Sequence, residues 1–165
     1  MAESVDVSKQ PFRKKRWVHI AGMALFSIGA VYGMIYVDLV LRARHAYLEG
    51  EKYLEWHFHP DRKAQYYKTW QVQRLAELEK KLSQRKITQD IFQREKELLE
   101  FQKTQALEDS SIKYAYVWYQ TAVELFSPPE SKWVKLSREK MVMAKELWRQ
   151  ELRAKKIPFE EYMLE

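Results

Sequence analysis

The stretch Trp17–Leu41, WVHIAGMALFSIGAVYGMIYVDLVL, decides the fold. From Ile20 to Val37 it carries neither a charge nor a proline. At about 1.5 Å rise per residue the whole stretch makes a helix of roughly 37 Å, against a hydrocarbon core of about 30 Å. It is too long and too evenly apolar for a buried core helix. Its apolar run exceeds that of a cleavable leader, and no small-x-small site precedes a polar start. The reading is an uncleaved anchor, a single transmembrane helix over 17–41.

The flanks set its orientation. Lys9, Arg13, Lys14, Lys15 and Arg16 precede the span in a basic tail, 1–16, whereas Arg42, Arg44 and Lys52 follow it. The excess of cations before the span places the tail inside, in the cytoplasm or matrix, and the rest in a periplasm or intermembrane space. Trp17, Tyr32 and Tyr36 suit the interface zones. Asp38 falls one helical turn before Arg42, so an ion pair at the membrane edge would reduce its cost there. Gly29 and Gly33 form a GxxxG pair, and Gly22 falls on the same stripe. Small residues let a second helix approach closely in lipid, so this stripe is read as a helix–helix contact.

Beyond Arg42 no helix breaker except Gly50 precedes Pro60, so the helix is expected to continue as an extension over 42–59. Pro60 stops it or restarts the chain as a first-turn proline. From there to 108 the pattern is helical with one interruption. Trp70, Leu75, Leu78 and Leu82 recur at threes and fours, 83–87 is polar, and Thr88 is an N-cap for a face of Ile91, Phe92, Leu98, Leu99 and Phe101. Two antiparallel helices joined by a short turn follow over 60–108.

Within this segment LAELEKKLSQRKITQDIFQREKELL, residues 75–99, resembles the short helical hairpin family called SHOCT. Ile87, Thr88, Asp90, Phe92, Lys96, Leu98 and Leu99 stand at matching positions. Arg85 and Lys86 occupy the turn where that family has a glycine, and Ile91 replaces one acid. The resemblance implies a helical hairpin used for assembly and implies no catalysis.

Residues 109–165 read as aromatic-rich C-terminal helices and a docking tail. Asp109, Ser110 and Ser111 supply a break and a cap. Tyr114, Trp118, Ala122 and Leu125 share one face of the helix that follows, and Ser127-Pro128-Pro129 ends it. Ser137 is read as the cap of a last helix running to about Lys156, with Met141, Ala144, Leu147, Trp148 and Leu152 as its stripe. The tail from Phe159 to Glu165 alternates acids with large apolar groups. The expected fold class is therefore all-α: a single N-terminal transmembrane helix, then an extramembrane set of helices that includes a hairpin.

Composition narrows the chemistry. The chain has 165 residues and no cysteine, which removes disulfides, thiolate zinc and iron–sulfur sites, thioether-attached haem and cysteine nucleophiles. Four glycines, three of them in the span, leave no Rossmann turn or P-loop. The formal charge of +6 comes from 29 basic against 23 acidic residues that interleave outside the tail, so no cationic stripe for nucleic acid is present. His57 and His59 converge only if the chain is locally extended, His19 stands alone at the membrane edge, and His45 has no companions. Glu77, Glu79, Glu95, Glu97 and Glu100 alternate with cations as a solvated, ion-paired surface does. No cofactor, metal or catalytic residue is expected, and the protein is read as not an enzyme.

Six Trp, ten Tyr and seven Phe are many for a mostly solvated set of helices. Large aromatics anchor protein interfaces, and Trp118, Trp133, Trp148, Phe159 and Tyr162 are the expected docking residues. The expected function is a non-catalytic accessory or assembly subunit of a multi-subunit inner-membrane complex, bacterial or mitochondrial, with a respiratory or photosynthetic oxidoreductase as the setting. Its partners would be integral membrane subunits, extramembrane subunits and lipid. Two alternatives stand beside it: a self-oligomerising membrane-anchored scaffold, and a histidine-based haem or metal protein.

Overall fold

A computed structural model describes residues 11–160, with side chains from Trp17 onward. Lys9 and Tyr162 lie outside the described residues, as do the side chains of residues 11–16. Five helices make up the described fold, with no strand among them: α1 Pro11–Phe58, α2 Pro60–Ser83, α3 Gln89–Glu108, α4 Ser111–Leu125 and α5 Lys132–Ala154.

Helix α1 runs unbroken for 48 residues. Its Trp17–Phe58 part contains a window apolar and long enough to cross a membrane, and none of that window is buried within the chain. Ser27 Oγ donates back to the Met23 carbonyl at 2.9 Å, so this hydroxyl needs no outside partner. The helix ends because Pro60 disfavours helical backbone at His59, which sits at φ −129° and ψ 74°. Pro60 then opens α2 in its first turn, where a missing N–H costs nothing.

The C-terminal part of α1 is one wall of a three-helix bundle with α4 and α5. Helix α4 runs antiparallel to α1: Tyr114 stacks on Tyr53 at 5.3 Å, and Trp118 meets His45 edge-on at 5.9 Å. Helix α5 then returns alongside, with Trp133 against Tyr47 at 5.5 Å and Trp148 against Tyr116 at 5.7 Å. The core joins Leu54 to Ile112, Ala115, Tyr116, Tyr119 and Ala144. Ala43, Ala46 and Gly50 are buried on α1, as are Ser111, Ala115 and Ala122 on α4, so small residues line both sides of the crossing. That geometry explains a difference from the sequence reading of α4. Of the expected face Ala122 is fully buried and Trp118 half-buried, while Tyr114 and Leu125 form a rim, Leu125 being 68% exposed, because the close approach is made over Ala115 and Ala122.

Helix α5 corrects a second expectation. Its cap is Ser131, whose Oγ accepts from Val134 N at 3.3 Å, and not Ser137. Ser137 lies fully buried inside the helix. The earlier serine prevails because starting there puts Val134 completely into the core, which a start at Ser137 would forgo.

Helices α2 and α3 form a hairpin beside the bundle. Trp70, Leu75, Leu78 and Leu82 of α2 and Phe92 of α3 are half-buried, and Lys103 Nζ donates to Gln71 Oε1 at 3.0 Å across the pair. Leu99 alone is buried on α3; Ile91, Leu98 and Phe101 are exposed to differing degrees, since a two-helix pair covers only one stripe. The turn closes with Arg85 in left-handed backbone, φ 54°, and Lys86 N donating to the Lys81 carbonyl at 2.9 Å. Thr88 Oγ1 then caps α3 by accepting from Ile91 N.

Candidate functional site

The surfaces that stand out lie along α1. From Trp17 to Asp38 every residue is exposed around the whole circumference of the helix. A side-chain carbon built at Gly22, Gly29 or Gly33 would meet nothing within 4 Å, so the glycine stripe is an open groove. One shallow concavity follows Val18, His19, Gly22, Met23, Phe26 and Ser27. At the end of the span Arg42 Nε donates to Asp38 Oδ2 at 2.7 Å, both side chains being exposed.

Gly50 behaves differently. A Cβ there would lie 2.5 Å from Tyr119 Cε1 and 2.7 Å from Cδ1. One side of the Tyr119 ring thus packs directly on the helix backbone, and its hydroxyl donates to Glu51 Oε1 at 2.7 Å. Lys140 of α5 reaches the same carboxylate oxygen at 3.3 Å, so one carboxylate ties all three helices of the bundle. Burial first, then the hydrogen bond and charge of Glu51, push the Tyr119 phenol well above its ordinary range.

The junction with the hairpin is aromatic. Trp56 packs on Tyr53 at 5.1 Å, on Tyr66 at 5.0 Å and on Tyr67 at 5.8 Å, with Lys52 Nζ over both the Tyr53 and Trp56 rings. Desolvation in this cluster raises Tyr67 and pushes Tyr53 up to about 12. Beneath it Lys63, only 6% exposed, donates to the Asp109 carbonyl at 2.7 Å and the Leu107 carbonyl at 3.4 Å. A cation from α2 thereby serves the C-terminus of α3, which has no basic residue of its own in the last turn. Burial lowers the Lys63 ammonium below the usual lysine range. Glu151 opposes Ser110 at the start of α4. Burial raises its carboxyl, but the hydrogen bonds from Lys155 and Ser110 outweigh that and leave it below the ordinary value.

The described aromatics that the sequence suggests for docking are partly covered within the chain. Trp118, Trp133 and Trp148 are half-buried on His45, Tyr47 and Tyr116 respectively, and Phe159 is half-buried beyond α5. His57 ends α1 half-buried and His59 is exposed in the break after it. Among the described residues no group of three His, Asp or Glu side chains converges on one point. The hairpin carries one groove of about 220 Å³, lined by Trp70, Arg74, Leu78, Leu98 and Gln102 among others. Sequence reasoning missed Gly50, Lys63 and Glu51. Gly50 alone carried a signal, as a glycine between Ala43, Ala46 and Leu54 at helical spacing.

No family model, curated protein or solved structure matches this chain. The likeness of residues 75–99 to the short hairpin family rests on the residues that carry it. What the fold defines is a class: an all-helical protein with one helix able to cross a membrane and a helical bundle built directly on that helix.

Proposed function

We propose that the protein is a non-catalytic, single-pass accessory or assembly subunit of a multi-subunit inner-membrane complex, with a respiratory or photosynthetic oxidoreductase as the setting. The observation that carries this reading is the division of α1. Its first part is bare around its circumference, and the same unbroken helix is the wall of a closed bundle. In this reading the bare part crosses the membrane and packs through Gly22, Gly29 and Gly33 on an integral subunit. The bundle and hairpin hold an extramembrane subunit. The cationic flank supports an inside N-terminus and a bundle in the periplasm or intermembrane space.

Purification from native membranes in mild detergent, with mass spectrometry of what accompanies the chain, tests the reading. Stoichiometric recovery with polytopic, cofactor-bearing subunits is expected. Gly33→Leu should weaken that recovery while leaving membrane insertion intact, because its side chain would fill the groove. A second reading, a self-oligomerising scaffold, draws support from the same open stripe, which two copies could share. Recovery of this chain alone as a defined oligomer would favour it.

A further inference from the structure

The turn between α4 and α5 reaches the level at which the apolar span ends. Helix α4 runs back along α1, and Trp118 stands opposite His45. Leu125 lies about two turns beyond Trp118, and Asp38 about two turns before His45, roughly 10 Å in each case. Counted the same way from Tyr114 on Tyr53 and Tyr119 on Gly50, Leu125 falls opposite Arg42 and Arg44, so Leu125 lies between the levels of Asp38 and Arg44 and the turn that follows comes to the end of the span. Burial agrees independently: from Trp17 to Leu41 only Leu39 and Val40 are partly covered.

At this level Leu125 is 68% exposed although it ends the helix with the most apolar composition in the bundle, and Pro128 is exposed beside it. Just above, at the level of Arg44 and Tyr47, stands Trp133. The Arg44 guanidinium lies 5.8 Å from its ring centre and the Lys132 ammonium 5.6 Å. Asp38 and Glu130 are engaged by Arg42 and Arg138, and among the described residues no ion pair occupies Arg44 or Lys132. An exposed leucine below, a tryptophan at the boundary and unpaired cations around it form the sequence of groups that a bilayer meets with depth.

We propose that the α4–α5 turn is a second membrane contact. Leu125 and Pro128 enter the outer edge of the same leaflet in which α1 ends, while Arg44 and Lys132 meet lipid phosphates. This rests on α1 crossing the bilayer, since that is what places the lipid at this level. The bundle is then held at the surface by two points, the span and the turn, and its tilt is restrained.

The absence of native cysteine allows single labels. Full-length Leu125→Cys, Ile28→Cys and Gln84→Cys would each carry a nitroxide, in vesicles of phosphatidylcholine and phosphatidylglycerol. Collision with oxygen and with a water-soluble nickel chelate reports depth. The Ile28 label is expected deep in the bilayer, the Gln84 label at the hairpin tip in water, and the Leu125 label at headgroup depth, with an oxygen-to-nickel ratio several-fold above that of Gln84. A Leu125 label as wet as Gln84 beside a deep Ile28 label would overturn the second contact and leave the span standing. A wet Ile28 label would remove the span and the inference together. Pro128→Cys, exposed in the turn itself, repeats the reading should Leu125→Cys fail to fold by circular dichroism.

Discussion

Gly50 shows how one absent side chain shapes the bundle. Replacing glycine by alanine within a helix ordinarily gains about 1 kcal/mol. Here the new carbon would sit under 3 Å from a fully buried ring whose hydroxyl is held by Glu51, so the ring has no free direction in which to yield. Overpacking of this kind costs about 1–3 kcal/mol, which exceeds the propensity gain. Gly50→Ala is therefore expected to lower the melting temperature, whereas Gly22→Ala, facing open space, should leave the bundle's transition unmoved; thermal circular dichroism of both variants checks the contrast. Ser137 is the opposite case. Its buried hydroxyl has no hydrogen-bond partner among the described residues, so the alanine variant should be as stable as the parent or more so.

At the scale of elements, the hairpin depends on its two ends. Arg85 holds left-handed backbone at φ 54°, a conformation that costs a residue with a Cβ about 1 kcal/mol relative to glycine. Arg85→Gly should raise hairpin stability by about that amount, read as slower amide exchange in α2 and α3. The other end is held by Lys63. Lys63→Met keeps most of the stem but withdraws the donor from the carbonyls of Leu107 and Asp109, a loss of about 1–3 kcal/mol. Amide exchange should then quicken at the α3–α4 junction and leave the α1–α4 crossing unchanged; uniform exchange would show that Lys63 is dispensable there. The caps Thr88 and Ser110 are legible in the sequence because they are local, a hydroxyl placed before an apolar periodicity. Lys63 is not legible, because its partners lie 44 and 46 residues away.

For the whole molecule, burial of tyrosine sets a limit at alkaline pH. Tyr47, Tyr53, Tyr67, Tyr114 and Tyr119 are all raised, by desolvation above all. In the unfolded chain each ionises near 10, so above that pH the unfolded state binds fewer protons than the folded one and stability falls as pH rises. Their contribution is complete below about pH 10 and declines from there through about 12, where Tyr53 titrates. Lys63, lowered by burial, acts in the opposite sense but earlier: its gain comes between its lowered value and the ordinary lysine value of 10.5, and it is flat through most of the range in which the five tyrosines titrate. Denaturant midpoints measured from pH 8 to 12 should fall above pH 10, and Tyr119→Phe should flatten that fall.

The sequence by itself determined the all-helical class, the continuous first helix, the hairpin and the glycine stripe. Each rests on periodicity, capping or the length of an apolar run, which are properties of neighbouring residues. The tertiary structure decided which faces meet. The periodicity of α4 pointed to Tyr114, Trp118, Ala122 and Leu125, of which Ala122 alone is fully buried; Ala115 and Tyr119 join it at the crossing with Gly50, because backbone approach depends on what both helices lack at the contact. It also seated Trp118, Trp133 and Trp148 on partners within the chain, and brought Leu125 level with the end of the span. Those placements follow from the antiparallel return of α4 along α1, a relation between distant segments that no local pattern encodes.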